Sequence, residues 1–216
     1  MSNRRLREPL WHVELAVVLA IGLQLFLTDH LNIGPKYAIA AFELLMLVGL
    51  RLTAPATHDR ASQIRRQVGL TLTGLVSLAN ISSLLIVCHF LINGTHVIEG
   101  KELLLSAVAI YVANIIVFGL WYWQIDGGGP GGRGTHRPPV DFLFPQMNTP
   151  SDVTEQPGWA PTFFDYLFIS ITNGTAFSPT DTMPLTHRAK LLMSIQAFVS
   201  LSTVALVAAR AINILH

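Results

Sequence analysis

Residues able to do chemistry are few in this chain, and most of them stand in apolar surroundings. Glu43, Asn80, Asn114 and Ser200 each fall near the middle of a long hydrophobic segment. A carboxylate at the centre of a bilayer costs about 2.5–3.5 kcal/mol on insertion scales, so Glu43 is expected to face other helices and find a donor. Asn80 and Asn114 offer amide N–H groups at similar depth. Two readings follow. One is an interhelical hydrogen-bond cluster that fixes packing; the other is a site for a proton, an ion or a polar ligand. A second polar group, "TNGTAFSPTD" from Thr172 to Asp181, sits between an aromatic-rich stretch and a long apolar one. It reads either as the lining of an ion pathway or as a polar loop between two membrane helices.

Residue types that enzymes use are present without the spacing that enzymes need. Asp126, Asp141, Asp152, Glu155 and His136 fall in one polar region with no recognisable acid–base pairing, and no serine or cysteine nucleophile stands beside a base. The eight histidines are scattered and the single cysteine, Cys88, lies in an apolar run, so neither a zinc site nor a disulfide framework is expected. The run "GGGPGGRG" lacks the Lys-Ser/Thr ending of a phosphate-binding loop and reads as a flexible turn. No catalytic residue, metal or cofactor is predicted, and a membrane enzyme is the weakest of the functional readings.

The elements that must position these groups are hydrophobic helices. Of 216 residues, 51% are hydrophobic and 12% charged, against about 25% charged in a soluble domain. The composition points to an all-α transmembrane protein whose first partner is the lipid bilayer. The net charge of +1 gives no reason to expect a nucleic-acid partner. The N-terminal "MSNRRLREPL" is basic and leads into an apolar run with no small-x-small cleavage site, which reads as an uncleaved first span. Five segments approach the roughly 20 residues that cross a hydrocarbon core: 10–28, 35–53, 68–92, 101–125 and 188–213. A sixth, "APTFFDYLFISIT" at 160–172, is too short to span and reads as a re-entrant half-helix. Pro161 is expected in its first turn, and Gly174 and Pro179 at its end.

The organisation expected from this is a three-helix bundle at 1–95 and a second module at 96–216. The second module comprises an outer helix 101–125, a loop 126–160, a half-helix with its re-entrant loop 161–186, and an inner helix 188–213. If the five long segments span and the short one returns, Arg4, Arg5, Arg7, Arg51, Arg60, Arg65, Arg66, Arg133, Arg137, Arg188 and Lys190 share one side. Lys36, Lys101 and Arg210 share the other. The excess of basic residues marks the first side as cytoplasmic. Trp121, Tyr122 and Trp123 fall where an interfacial aromatic belt belongs; with Asp126 they also offer the parts of a head-group site. Phe142 and Phe144 are expected either on the membrane surface or packed beneath the loop. Gly69, Thr73, Gly74, Ser77 and Ser82 are small or hydroxylated, as close helix packing requires.

The stretch "DYLFISITNGTAFSPTDTMPLTHRAKLLMSIQAFVSLSTVALVAARAIN" resembles the pore module of the potassium-channel superfamily. Asp165 to Ser170 resemble the pore helix, Asp181 the aspartate after the filter, Pro184 the proline beyond it, and Leu191 to Ile212 the inner helix. The resemblance rests on Ser170, Thr172, Thr175, Asp181, Pro184 and their spacing. It departs at the filter, where Ala176, Phe177, Ser178, Pro179 and Thr180 replace the Thr-Val-Gly-Tyr-Gly pattern. A potassium filter aims successive carbonyls at the pore axis, a backbone its glycines permit and proline does not. Potassium selectivity is therefore not expected. What the resemblance implies is a homo-oligomer, fourfold if it forms a pore. Its pathway for monovalent cations would be lined by Thr172, Asn173, Gly174, Thr175, Ser178, Thr180 and Asp181. The loop would face the cytoplasm, inverted relative to potassium channels, as in ionotropic glutamate receptors. A loop that plugs rather than conducts, beside a bound lipid or small ligand, is the alternative. The motifs "NIIVFGLWYW", "DFLFPQM" and "TNGTAFSPTDTMPLT" also resemble a family of bacterial inner-membrane proteins of about this length. That likeness implies the cytoplasmic membrane of a bacterium and brings no activity with it.

Overall fold

The longest apolar runs become the longest helices. In the computed structural model, which describes residues 11–27, 36–52, 59–93, 100–130, 139–148, 159–175 and 181–214, the chain is mostly helical. The helices are α1 (Trp11–Phe26), α2 (Lys36–Leu52), α3 (Asp59–Asn93), α4 (Gly100–Ile125), α5 (Pro145–Asn148), α6 (Phe163–Thr175) and α7 (His187–Ile214). Two short strands, β1 (Phe142–Leu143) and β2 (Met183–Pro184), pair antiparallel with Phe142 opposite Pro184 and Leu143 opposite Met183.

Among the described residues three helices are long and apolar enough to cross a membrane: Arg66–Phe90 in α3, Lys101–Gly128 reaching just beyond α4, and His187–Ala208 in α7. The chain is thus a multi-pass membrane protein by length and composition. The other two expected spans form helices of 16 and 17 residues, about 24–26 Å at 1.5 Å per residue, shorter than a hydrocarbon core of about 30 Å.

Helix α4 is the centre of the fold. It packs against α1, α3, α6 and α7, and 67% of its span is buried within the protein, against 22% for the span of α7. The larger of two apolar clusters joins Val17 and Ile21 of α1, Leu72 and Val76 of α3, Val117 and Leu120 of α4, and Tyr166 and Ile169 of α6; the second gathers Leu84 and Val87 of α3, Leu103 and Ile110 of α4, and Val199 of α7. The boundary expected near residue 95 therefore separates segments of sequence that share one core. Helix α7 keeps an apolar face open, with Leu191, Ile195, Phe198 and Leu201 exposed.

The start of α1 and the ends of α4 and α6 that carry the site lie together. The rings of His12 and Phe164 are 4.8 Å apart. Helices α3 and α4 run antiparallel, with Trp121 Nε1 donating to Ser77 Oγ (2.8 Å) and Gln124 Nε2 to Thr73 Oγ1 (2.6 Å). Gly69 also faces Gln124, where a Cβ would make ordinary contact at 3.6 Å from Oε1. Of the small residues expected to permit close packing, Gly69, Thr73 and Ser77 face α4.

Candidate functional site

The start of helix α6 is specified by a side-chain cap. Thr162 caps it: the Thr162 backbone N–H and hydroxyl both donate to Asp165 Oδ2, at 2.7 and 2.8 Å, half of a capping box. Pro161 precedes this cap rather than occupying the first turn. The helix runs on through Gly174 to Thr175, so Thr172, Asn173, Gly174 and Thr175 form its last turn and not the start of a loop. Thirteen residues make about 20 Å of helix.

The two ends of α6 sit at different levels. Its first turns lie where α4 ends, because the Tyr166 hydroxyl donates to Asp126 Oδ2 at 2.6 Å. Its last turn lies half-way along α4 and α7. A Cβ at Gly174 would stand 3.3 Å from Ile115 Cγ1, 3.3 Å from Ser200 Oγ and 3.4 Å from Gln196 Nε2. Ile115 is about 15 Å from the end of α4, and Ser200 about 20 Å from the start of α7, at 1.5 Å per residue. By Met183 the chain is back at the starting level, paired with β1. Close approach along α6 also needs Gly119, where a Cβ would lie 3.3 Å from Leu167 Cα.

A polar network holds α6 in this position. Gln196 is fully buried, and its amide is used on both sides. Its oxygen accepts from Tyr122 Oη (2.5 Å) and Asn173 Nδ2 (2.9 Å); its nitrogen donates to Ser170 O (2.8 Å) and Ser170 Oγ (2.7 Å). Ser170 Oγ in turn donates to Ile115 O (2.6 Å), and Asn173 Nδ2 reaches Met193 O (2.9 Å). Just beyond, Asn114 Nδ2 donates to Ser200 Oγ at 2.9 Å. Asn173 therefore points into the protein, towards α7, and not along a pathway. Thr172 spends its hydroxyl on its own helix, donating to Phe168 O and Ile169 O, and Thr175 likewise on Thr172 O.

A second cluster ties the loops to the same end of the bundle. The chain turns at Gly127, Gly128 and Gly129, with φ of 57°, 83° and 83°, a region open to glycine and strained for other residues. Both Asp126 oxygens are engaged: Oδ1 accepts from the backbone N–H of Asp141 (2.6 Å) and Phe142 (3.2 Å), and Oδ2 from Tyr166. Asp141, fully buried, accepts from Arg188 Nε (2.5 Å) and Nη2 (2.6 Å) and from the Thr186 hydroxyl. Its carbonyl accepts from Leu185 N at 2.8 Å. Such charge-assisted, two-pronged arginine contacts are the strong class of hydrogen bond. Asp181 lies at this end, exposed, two residues before β2.

The sequence-predicted residues are thus distributed as follows. Ala176, Phe177, Ser178, Pro179 and Thr180 lie outside the described residues. Asn114 and Ser200 are brought together; Glu43 is not joined to either. Glu43 is fully buried on α2, and neither carboxylate oxygen has a hydrogen-bond partner among the described residues, which sets it apart from Asn80 as well. Asn80 is buried on α3. Similar depth did not suffice, because helices also have a rotational phase.

The aromatic triplet is a correction too. Tyr122 and Trp123 are buried and Trp121 is half-buried, so they do not form a lipid-facing belt. Successive residues on a helix point about 100° apart, and around α4 each direction meets a neighbour: Ser77 of α3 for Trp121, Gln196 of α7 for Tyr122, Phe163 of α6 for Trp123. Phe142 and Phe144 pack beneath the loop, edge-on to Tyr122 and Tyr166 respectively. Sequence reasoning passed over Gln196 and Arg188. The first carried the same signal as Asn114, an amide in an apolar run; the second was counted only as a charge.

No family model matches the chain, and no curated protein or solved structure matches it. Function is therefore argued from geometry.

Proposed function

We propose that the protein is a channel-like membrane protein of the bacterial cytoplasmic membrane, in which α6 and the residues after it form a re-entrant loop lining a cation pathway. The observation that carries this is the position of α6. A helix of 13 residues begins level with the ends of α4 and α7 and stops half-way along both, and the chain returns to where it began. In hydrocarbon, non-helical backbone is tolerated only where protein covers it or water lines it. A half-helix ending at that depth supplies such backbone, as pore loops do.

In this reading α1 to α4 and α7 cross the membrane, the two short helices with help from flanking residues, and the basic end faces the cytoplasm. One loop lines only part of a pathway, so the working form is a homo-oligomer, fourfold in the simplest case. The exposed apolar face of α7 is available for that contact. Asp181, exposed at the end where the loop returns, attracts monovalent cations to the mouth. The interior polar network holds the half-helix and does not itself conduct, since its groups are spent on one another. Selectivity is not of the potassium-filter kind, because the glycines of such a filter are absent from 176–180.

The test is cation flux through the purified full chain in liposomes, comparing potassium, sodium and a larger organic cation. Asp181→Asn is expected to lower cation flux several-fold without changing thermal stability, because Asp181 is exposed. A folded oligomer that passes no cation would instead make α6 a fixed plug, the reading that the dense pairing of Gln196 and Asn173 favours.

A further inference from the structure

The α1–α2–α3 side of the molecule holds one group that a loop pathway leaves unused. Glu43 is 0% exposed, and neither carboxylate oxygen has a hydrogen-bond partner among the described residues. Helix α2 packs against α1 and α3. From α1, the buried Gln24 stands beside Glu43, just outside hydrogen-bond geometry. The Gln24 amide nitrogen is directed to α3, donating to Val76 O at 3.4 Å, which leaves its oxygen as an acceptor.

Among the described side chains, the titratable groups of α1 and α3 stand away from this level. His12 and Glu14 on α1, and Arg66, Cys88 and His89 on α3, are about 15 Å or more along their helices from Gln24 and Val76, at 1.5 Å per residue. Tyr37, on α2 itself, is about 9 Å from Glu43 on the same measure. Among the described residues no counter-charge pairs with Glu43, and a carboxylate buried without one costs several kcal/mol. A neutral carboxyl costs far less, and its O–H is the donor that an amide oxygen can use.

We propose that Glu43 is a proton-binding site, held as a carboxylic acid within the α1–α2–α3 packing, and that its ligand is a proton rather than a metal cation. An alkali or alkaline-earth ion exchanges its hydration shell for several oxygens. Among the described residues no group of three His, Cys, Asp or Glu side chains could hold a metal. A proton needs one oxygen. This inference is independent of the loop, and it survives if α6 proves to be a plug.

The experiment uses the full chain in lipid vesicles at neutral pH, treated with dicyclohexylcarbodiimide and, in parallel, with a water-soluble carbodiimide. A buried carboxylic acid adds across one C=N bond of the lipid-soluble reagent. Its proton goes to nitrogen and its oxygen to the central carbon, and the acyl group then migrates to the other nitrogen to give a stable N-acylurea, with nothing leaving. Mass mapping is expected to place one adduct on the peptide that contains Glu43, in most chains, with at least a tenfold preference for the lipid-soluble reagent (about 1.4 kcal/mol in relative labelling). Glu43→Gln is expected to lose that adduct while keeping its oligomeric state. An unlabelled Glu43 peptide in the native chain, or equal labelling by the two reagents, would overturn the proposal. Both results are read on the native protein, so the decision stands even if the variant fails to fold.

Discussion

The network around α6 and the buried acid of α2 treat buried polarity in opposite ways. Around α6, Gln196, Ser170, Asn173, Tyr122, Asp126 and Asp141 are joined in closed sets of donors and acceptors. On the other side Glu43 is as deeply buried as any of these and has no hydrogen-bond partner among the described residues. Buried polar groups are nearly always paired, because an unpaired one costs about 1–3 kcal/mol. The first pattern is what rigid architecture needs. A half-helix cannot be held by a full-length apolar seam, so side-chain hydrogen bonds fix its depth and rotation. The second pattern is what a site awaiting a ligand looks like. The difference teaches that a polar residue in a hydrophobic helix is not evidence of function until its partners are known.

Substitutions can break this comparison. The largest effect is expected from Asp141→Ala. It removes the acceptor that Arg188 and Thr186 share. The Arg188 side chain is half exposed and can turn to water, so the loss is that of hydrogen bonds to a charged group, about 1.5–3 kcal/mol each and about 3–5 kcal/mol for the three together. Thermal unfolding in detergent should show a drop large enough to compromise folding; an unchanged midpoint would mean that the loop is not held by this contact. Next is Gln196→Leu, which leaves Tyr122, Asn173 and Ser170 without their shared partner. At about 1–3 kcal/mol per stranded group, partly recovered by relaxation, the expected loss is about 2–4 kcal/mol by the same measurement. The smallest effect, and one of opposite sign, is expected from Glu43→Leu. It removes a buried acid and strands at most the Gln24 amide oxygen, so the two effects offset in part and stability should stay level or rise by less than about 1 kcal/mol. If Glu43→Leu destabilised the protein as much as Gln196→Leu does, Glu43 would have a structural partner and the contrast would collapse.

Much of the fold was legible because apolar run length translates directly into helix. The expected segments 35–53, 101–125 and 188–213 became Lys36–Leu52, Gly100–Ile125 and His187–Ile214. The half-helix was legible for the same reason: "APTFFDYLFISIT" is too short to span, and a Thr-x-x-Asp cap opens it. Its end was misplaced because Gly174 reads as a helix stop. In the structure Gly174 is there for clearance, with Ile115, Gln196 and Ser200 standing where a side chain would go. Local conformational preference and close approach select the same residue, and sequence does not distinguish them.

Run length alone fixed the hydrophobic character of the chain, the places of its long helices, and the presence of an acid in an apolar run. Those depend on which residues are near each other along the chain, where 1.5 Å per residue converts position into depth. Which polar groups meet is settled by packing in three dimensions. That depends on how each helix is turned about its axis, which the packing of all its neighbours sets together. Rotation brought Asn114 to Ser200 and Tyr122 to Gln196, turned Trp123 inward, and left Glu43 with no hydrogen-bond partner among the described residues.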